Sequence, residues 1–233
     1  MVPCRVSRSC RAPLVLRVAA CDTRAWPPRC CPCSGRRADD FVYYGTTFNQ
    51  PQILLEVFGR DDSLNALALQ NIATAAFGLP GVVLGIAMLR CLGTKSLQSW
   101  GFVAILVASL ALAASSYFAK ASPALSFSLM CVLITALNWG ANVSTYVLPT
   151  EAFPAEVRAS MFGVSAAIGK LGALAGGFAF GPIFSAGRGG PAMVFLLCAA
   201  LAAVGVLVTH RFVEPFGHES FCRRSAHVHA RFD

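Results

Sequence analysis

Five stretches of this chain, Leu64 to Leu89, Trp100 to Phe118, Ala124 to Pro149, Met161 to Ala186 and Pro191 to Thr209, are almost wholly apolar, with at most one charge inside each. A bilayer span needs about 20 such residues. Inside lipid the backbone N–H and C=O groups have no water to bond to, so each stretch is predicted to be a membrane-crossing helix. Composition points the same way. Charged residues make up only 13% of the chain and hydrophobic residues 56%, with a mean hydropathy of +0.62, whereas a soluble domain carries roughly 25% charged residues.

A sixth candidate, Phe41 to Phe58, is shorter and holds Asn49, Gln50, Pro51, Gln52 and Glu56. Hydropathy alone does not predict it. The connections between the five spans are short, which makes sequential helices antiparallel neighbours in one bundle. The expected fold is therefore all-α, a polytopic transmembrane helix bundle.

The formal charge of +8 invites a nucleic-acid reading, but its distribution argues against one. Residues 1–37 hold eight Arg and one Asp, so the basicity belongs to a leader and not to a binding surface. Six of the ten cysteines fall in the same leader. Cys30-Cys31-Pro32-Cys33 resembles half of a zinc site, yet a second ligand pair at the right spacing is lacking and no metal is expected. An Arg-rich, acid-poor leader also suits an organelle transit peptide, although Trp26-Pro27-Pro28 and the scarcity of Ser do not. The favoured expectation is that residues 1–38 are an Arg/Cys/Pro-rich leader that is disordered or not native coding sequence, followed by a membrane part over 39–212 and a tail over 213–233.

Arg90, Lys95, Arg158, Arg211, Arg223, Arg224 and Arg231 fall on one side of the membrane and Arg60, Lys120 and Arg188 on the other. The positive-inside rule then puts the carboxy terminus in the cytoplasm. Gly169, Ala173, Gly177 and Gly181 recur at every fourth position and predict a small-residue stripe for close helix contact. Pro80 and Pro182 are expected to kink or loosen their helices.

Polar groups inside the spans are few. Asp40 and Tyr44 are one turn apart on one helical face. A carboxyl group within a span can exchange a proton; an Asp39-Asp40 pair in water at a helix end is the less favoured alternative, and an interfacial belt role for Tyr44 is open beside its role as a donor. Asn138, Asn142 and Tyr146 form a stripe of amide and hydroxyl groups suited either to oxyanion oxygens or to bonds between helices. Lys170 stands in mid-span among small residues, where an ionisable group usually marks a pathway or a paired partner. The chain shows no Ser-His-acid set, Walker loop or dinucleotide fingerprint, so neither an enzyme nor a cofactor is expected.

The segment NWGANVSTYVLPTEAFPAEVRASMFGVSAAIGKLGALAGGFAF, from Asn138 to Phe180, resembles the tenth and eleventh helices of the phosphate:proton symporters of the major facilitator superfamily. Glu151-Ala152-Phe153-Pro154 followed by Arg158 is similar to a loop found across the superfamily. The narrower likeness lies in Asn138-x-Gly140-x-Asn142 and in Ser165-Ala166-Ala167-x-Gly169-Lys170-x-Gly172-Ala173. Asp40-x-x-x-Tyr44-Gly45 followed by Asn49 is similar to the family's seventh helix, which brings in the sixth span. Where the family carries a tryptophan one turn before that aspartate, this chain has Arg36. The loop Arg90 to Lys95 resembles a degenerate copy of the one between helices eight and nine.

The resemblance covers roughly residues 39–212 and implies the carboxy-terminal six-helix half of the fold, helices seven to twelve. It implies inorganic phosphate and protons as cargo, a plasma-membrane location, and an amino-terminal half as the partner needed to close the site. It implies Tyr44, Asn142, Asn138 and Lys170 as substrate contacts and Asp40 as the proton-coupling group. Glu151, Arg158 and Arg90 read as a loop ion-pair set at the gate. Transport of another anion or a sugar, or a non-transporting membrane fragment, are the rival expectations.

Overall fold

The computed structural model describes residues 33–58, 64–117, 123–152, 155–184 and 189–213. Residues 1–32 and 214–233, which hold most of the expected leader and nearly all of the expected tail, lie outside the described residues. Every element among the described residues is a helix, in the order α1 (Cys33–Phe48), α2 (Gln50–Phe58), α3 (Leu64–Ala76), α4 (Gly78–Leu92), α5 (Thr94–Tyr117), α6 (Pro123–Trp139), α7 (Ala141–Ala152), α8 (Ala155–Phe184) and α9 (Gly190–Phe212). Helix α1 runs without a break through positions 37–40, where the expected leader meets the membrane part.

Five stretches are long and apolar enough to cross a membrane: Asn65–Leu92, Thr94–Tyr117, Pro123–Glu151, Arg158–Ile183 and Gly190–Arg211. They coincide with the five predicted from the sequence. The sixth, polar candidate is also helical, as α1 followed by α2.

Three of these stretches are broken in the middle, each for a local reason. Pro51 and Pro80 cannot donate the backbone bond that a continuing helix needs, so both sit in the first turn of a new helix, where that N–H would go unused. The breaks fall just ahead of them. At Asn49 the side-chain amide donates to the Gly45 carbonyl at 2.9 Å. At Phe77 the backbone N–H is shared between the carbonyls of Ala73 and Thr74. Thr135 of α6 donates 3.0 Å to the Phe77 carbonyl and ties that break to its neighbour. The expected kink at Pro80 is thus a one-residue interruption at Phe77, three residues earlier, where the backbone stays in the helical region. The third break, at Gly140, lies where α6 and α7 pass so close to α5 that a Cβ on Gly140 would meet the Gly101 backbone.

The most extensively packed pairs are α1 with α8 and α5 with α9. Between lipid-bathed helices the hydrophobic effect gives little drive to associate, so close backbone approach at small residues does the work. Helix α8 shows how. A Cβ added to Gly176 would collide with the Phe41 carbonyl oxygen, and one added to Gly45 of α1 would lie 2.8 Å from the Phe180 ring. The buried row on α8 is Ser165, Gly169, Ala173, Gly176 and Phe180. A helix of 3.6 residues per turn drifts off a strict four-residue repeat, so the contact passes through Gly176 instead of Gly177, and Gly181 faces open space.

One glycine is needed for its backbone. Gly93, at φ 74°, closes the C-terminus of α4 by donating its N–H to the Leu89 carbonyl. The buried apolar core joins Val42, Phe102, Leu112, Leu133, Leu137, Phe180, Val194 and Phe195 from α1, α5, α6, α8 and α9.

Candidate functional site

Close packing of α1 on α8 sets two polar side chains face to face. Lys170 is exposed in this chain, in the middle of α8, and its Nζ donates a 2.6 Å hydrogen bond to the Tyr44 hydroxyl of α1. The same nitrogen lies 4.3 Å from the centroid of the Tyr44 ring, a cation–π distance. Tyr44 is held on its other sides by Tyr43, edge-on at 5.2 Å, and by Phe48 at 5.7 Å. A phenol that accepts a bond from an ammonium still has its own proton to donate. The pair therefore offers a cation and a hydroxyl donor side by side, a combination that attracts an oxyanion.

Asp40 precedes Tyr44 by one turn and lies within electrostatic range of Lys170. Asp39 and Asp40 are 1% and 9% exposed. These are buried carboxyl groups and not a solvated pair at a helix end. The two part company around the helix: Asp40 shares a face with Tyr44, whereas Asp39 shares one with the buried Val42 and Thr46.

The asparagines sit differently. Asn138, in the last turn of α6, is buried against α4, where Gly78 and Gly81 leave room for it. Its Nδ2 donates to the Ile134 carbonyl at 2.9 Å, and its Oδ1 accepts from Asn142 Nδ2 at 3.2 Å. Asn138 thereby fixes the orientation of Asn142 across the Gly140 break. Asn142 is half-buried. Tyr146 follows one turn later, 50% exposed, with its ring 6.4 Å from Phe162 of α8. Its phenol lies within electrostatic range of both Lys170 and Tyr43.

Arg90, Glu151 and Arg158 are all exposed. Arg90 lies in the last turn of α4, and Glu151 and Arg158 flank positions 153–154, which are outside the described residues. The fold thus joins Lys170, Tyr44 and Asp40 into one cluster and Asn138 with Asn142 into another, with Tyr146 of α7 between α1 and α8. Tyr43 was missed by reading the sequence, because an aromatic next to a predicted contact carries no signal of its own until the helix it packs against is known.

The chain matches the sugar (and other) transporter family over residues 40–222. It is 35% identical over 176 residues to inorganic phosphate transporter PT2 of Toxoplasma gondii, covering 76% of this chain and 31% of that protein. It is 32% identical over 154 residues to probable inorganic phosphate transporter 1-10 of Oryza sativa subsp. japonica, covering 60% of this chain and 27% of the relative. It is also 28% identical over 190 residues to glycerophosphoinositol permease 1 of Candida albicans, covering 81% and 36%. The chain spans about a third of the length of the curated relatives it matches. With five membrane-length apolar helices as well, it is an integral membrane protein, and it belongs to the sugar (and other) transporter family of the major facilitator superfamily.

Proposed function

We propose that this chain serves proton-coupled transport of inorganic phosphate by alternating access, as the half of a transporter that rocks against an amino-terminal half around a midplane site. The observation that carries the reading is the Lys170–Tyr44 contact, with Asp40 one turn away. A fixed cation and a phenol attract the phosphate oxygens. A buried carboxyl group beside them makes cargo and proton sense each other. Asn142, held by Asn138, adds an amide on the α7 side. Tyr44, Asn142 and Lys170 are then the substrate residues, Asn138, expected from the sequence as a contact, is the support that orients Asn142, and Asp40 is the proton-coupling residue, while Arg90, Glu151 and Arg158 act at the gate. The relatives are transporters, and the reading is of carriage and not of catalysis.

The distribution of Lys and Arg supports a cytoplasmic carboxy terminus, and the plasma membrane follows from the phosphate-uptake reading. The likeness to a glycerophosphoinositol permease favours, as a second reading, a larger cargo that carries a phosphate group. Both cargoes would meet Lys170 through the same oxygens.

Uptake of radiolabelled phosphate into yeast lacking its own phosphate uptake and expressing this half joined to the amino-terminal half of a phosphate transporter of the family, with and without a protonophore, tests the proposal. Expected are saturable uptake, loss of it on uncoupling, and competition by unlabelled phosphate but not by sulfate, sugars or carboxylates. Stronger competition by glycerophosphodiesters would favour the second reading. Absence of uptake by the joined halves, with the protein present at the membrane, would sink the transport reading and leave a non-transporting membrane fragment.

A further inference from the structure

We infer that Tyr146 is a further cargo contact and sets the affinity of the Lys170 site from the α7 side. The inference rests on the phosphate reading above. Asn138, Asn142 and Tyr146 occupy successive turns of one face, and the first two are bonded to each other and to the Ile134 carbonyl. Tyr146 continues the row where α7 meets both α1 and α8, half exposed and within electrostatic range of Lys170 and Tyr43.

A phenylalanine at 146 would make the same ring contact with Phe162. Only a tyrosine adds a hydroxyl to that face of α7. A tetrahedral phosphate has more acceptor positions than Lys170 and Tyr44 can fill, so a phenol from a third helix supplies a donor that the first two lack. Phe162 precedes Lys170 by about two turns on the same helix, so the ring contact that anchors Tyr146 also fixes its height relative to the cation.

The test is the concentration dependence of phosphate uptake by the wild type and by Tyr146→Phe, each joined to the same amino-terminal half and normalised to the amount of protein at the membrane. The variant keeps the ring and its packing. Its KM is expected to rise about tenfold, as for loss of one hydrogen bond to a charged group, with the maximal rate per transporter held within about twofold. An unchanged KM in a transporting variant, or a fall in maximal rate alone, overturns the inference and leaves Tyr146 a packing residue. A wild type that carries no phosphate overturns the phosphate reading itself and this inference with it.

Discussion

The Lys170 ammonium donates a 2.6 Å hydrogen bond to the Tyr44 hydroxyl across 126 residues of sequence. A charged side chain in mid-bilayer is costly enough that it is kept where a partner or a water-filled path receives it. Here the hydrogen-bonded partner is the Tyr44 phenol, and the carboxyl group of Asp40 lies one turn along α1 in electrostatic range. An ammonium bonded to a phenol keeps a positive charge that an incoming anion can use.

If the two residues act as one unit, removing either should disable the same step. Lys170→Gln is expected to lower phosphate uptake more than a hundredfold and Tyr44→Phe about tenfold, with the double variant no worse than Lys170→Gln alone. Initial uptake rates of the three variants decide it. Losses that simply multiply would mean the two residues contribute independently.

Asp40 gives a different signature, because its proposed part is to carry a proton and not to hold the anion. Asp40→Asn keeps the size and one acceptor oxygen of the side chain but cannot be ionised. Uptake against a gradient is expected to collapse and to lose its dependence on external pH, while exchange of external for internal phosphate continues. Normal pH-dependent uptake by this variant would remove Asp40 from proton coupling.

The apolar runs made the helices legible before any coordinates, since a span of about 20 apolar residues in lipid has few alternatives to a helix. Lys170 was legible for the same reason, since an ionisable group in such a run stands out, whereas Asp40, just ahead of a stretch that hydropathy alone does not predict, was legible only through the resemblance to the family's seventh helix. What the sequence did not reveal was pairing. Nothing local to Gly176 distinguishes it from Gly177, yet one touches the Phe41 carbonyl and the other does not. That difference depends on the rotation of α8 against α1, which a four-residue repeat misjudges by the drift between 3.6 and 4. Asn138 likewise looks equivalent to Asn142 in the sequence, and only the approach of α4 at Gly78 shows that it is buried as a support.

Those glycines give a stability test. Gly176→Val forces a side chain into the Phe41 carbonyl and should destabilise the fold by about 2 kcal/mol, the usual scale of overpacking. Gly181→Ala meets nothing within 4 Å and should be neutral or stabilising by up to about 1 kcal/mol, from helix propensity. Thermal unfolding of the purified protein in one detergent compares them. Equal effects at the two positions would mean that α8 is rotated from the orientation described.

Gln98 of α5 offers the opposite case, a buried group that the packing does not satisfy. It is 0% exposed, and neither its Nε2 nor its Oε1 makes a hydrogen bond within the described fold. Leaving a buried amide unpaired costs about 1–3 kcal/mol, whereas an apolar side chain of similar shape in the same place costs nothing of the kind. Gln98→Leu is therefore expected to raise the unfolding free energy by about 1 kcal/mol, and Gln98→Glu, which adds a charge at the same buried point, to lower it by several. The same thermal measurement distinguishes the outcomes. A leucine variant less stable than the wild type would show that the amide is already satisfied, by water held between α5 and its neighbours, since only a satisfied group loses more than it gains when it is made apolar.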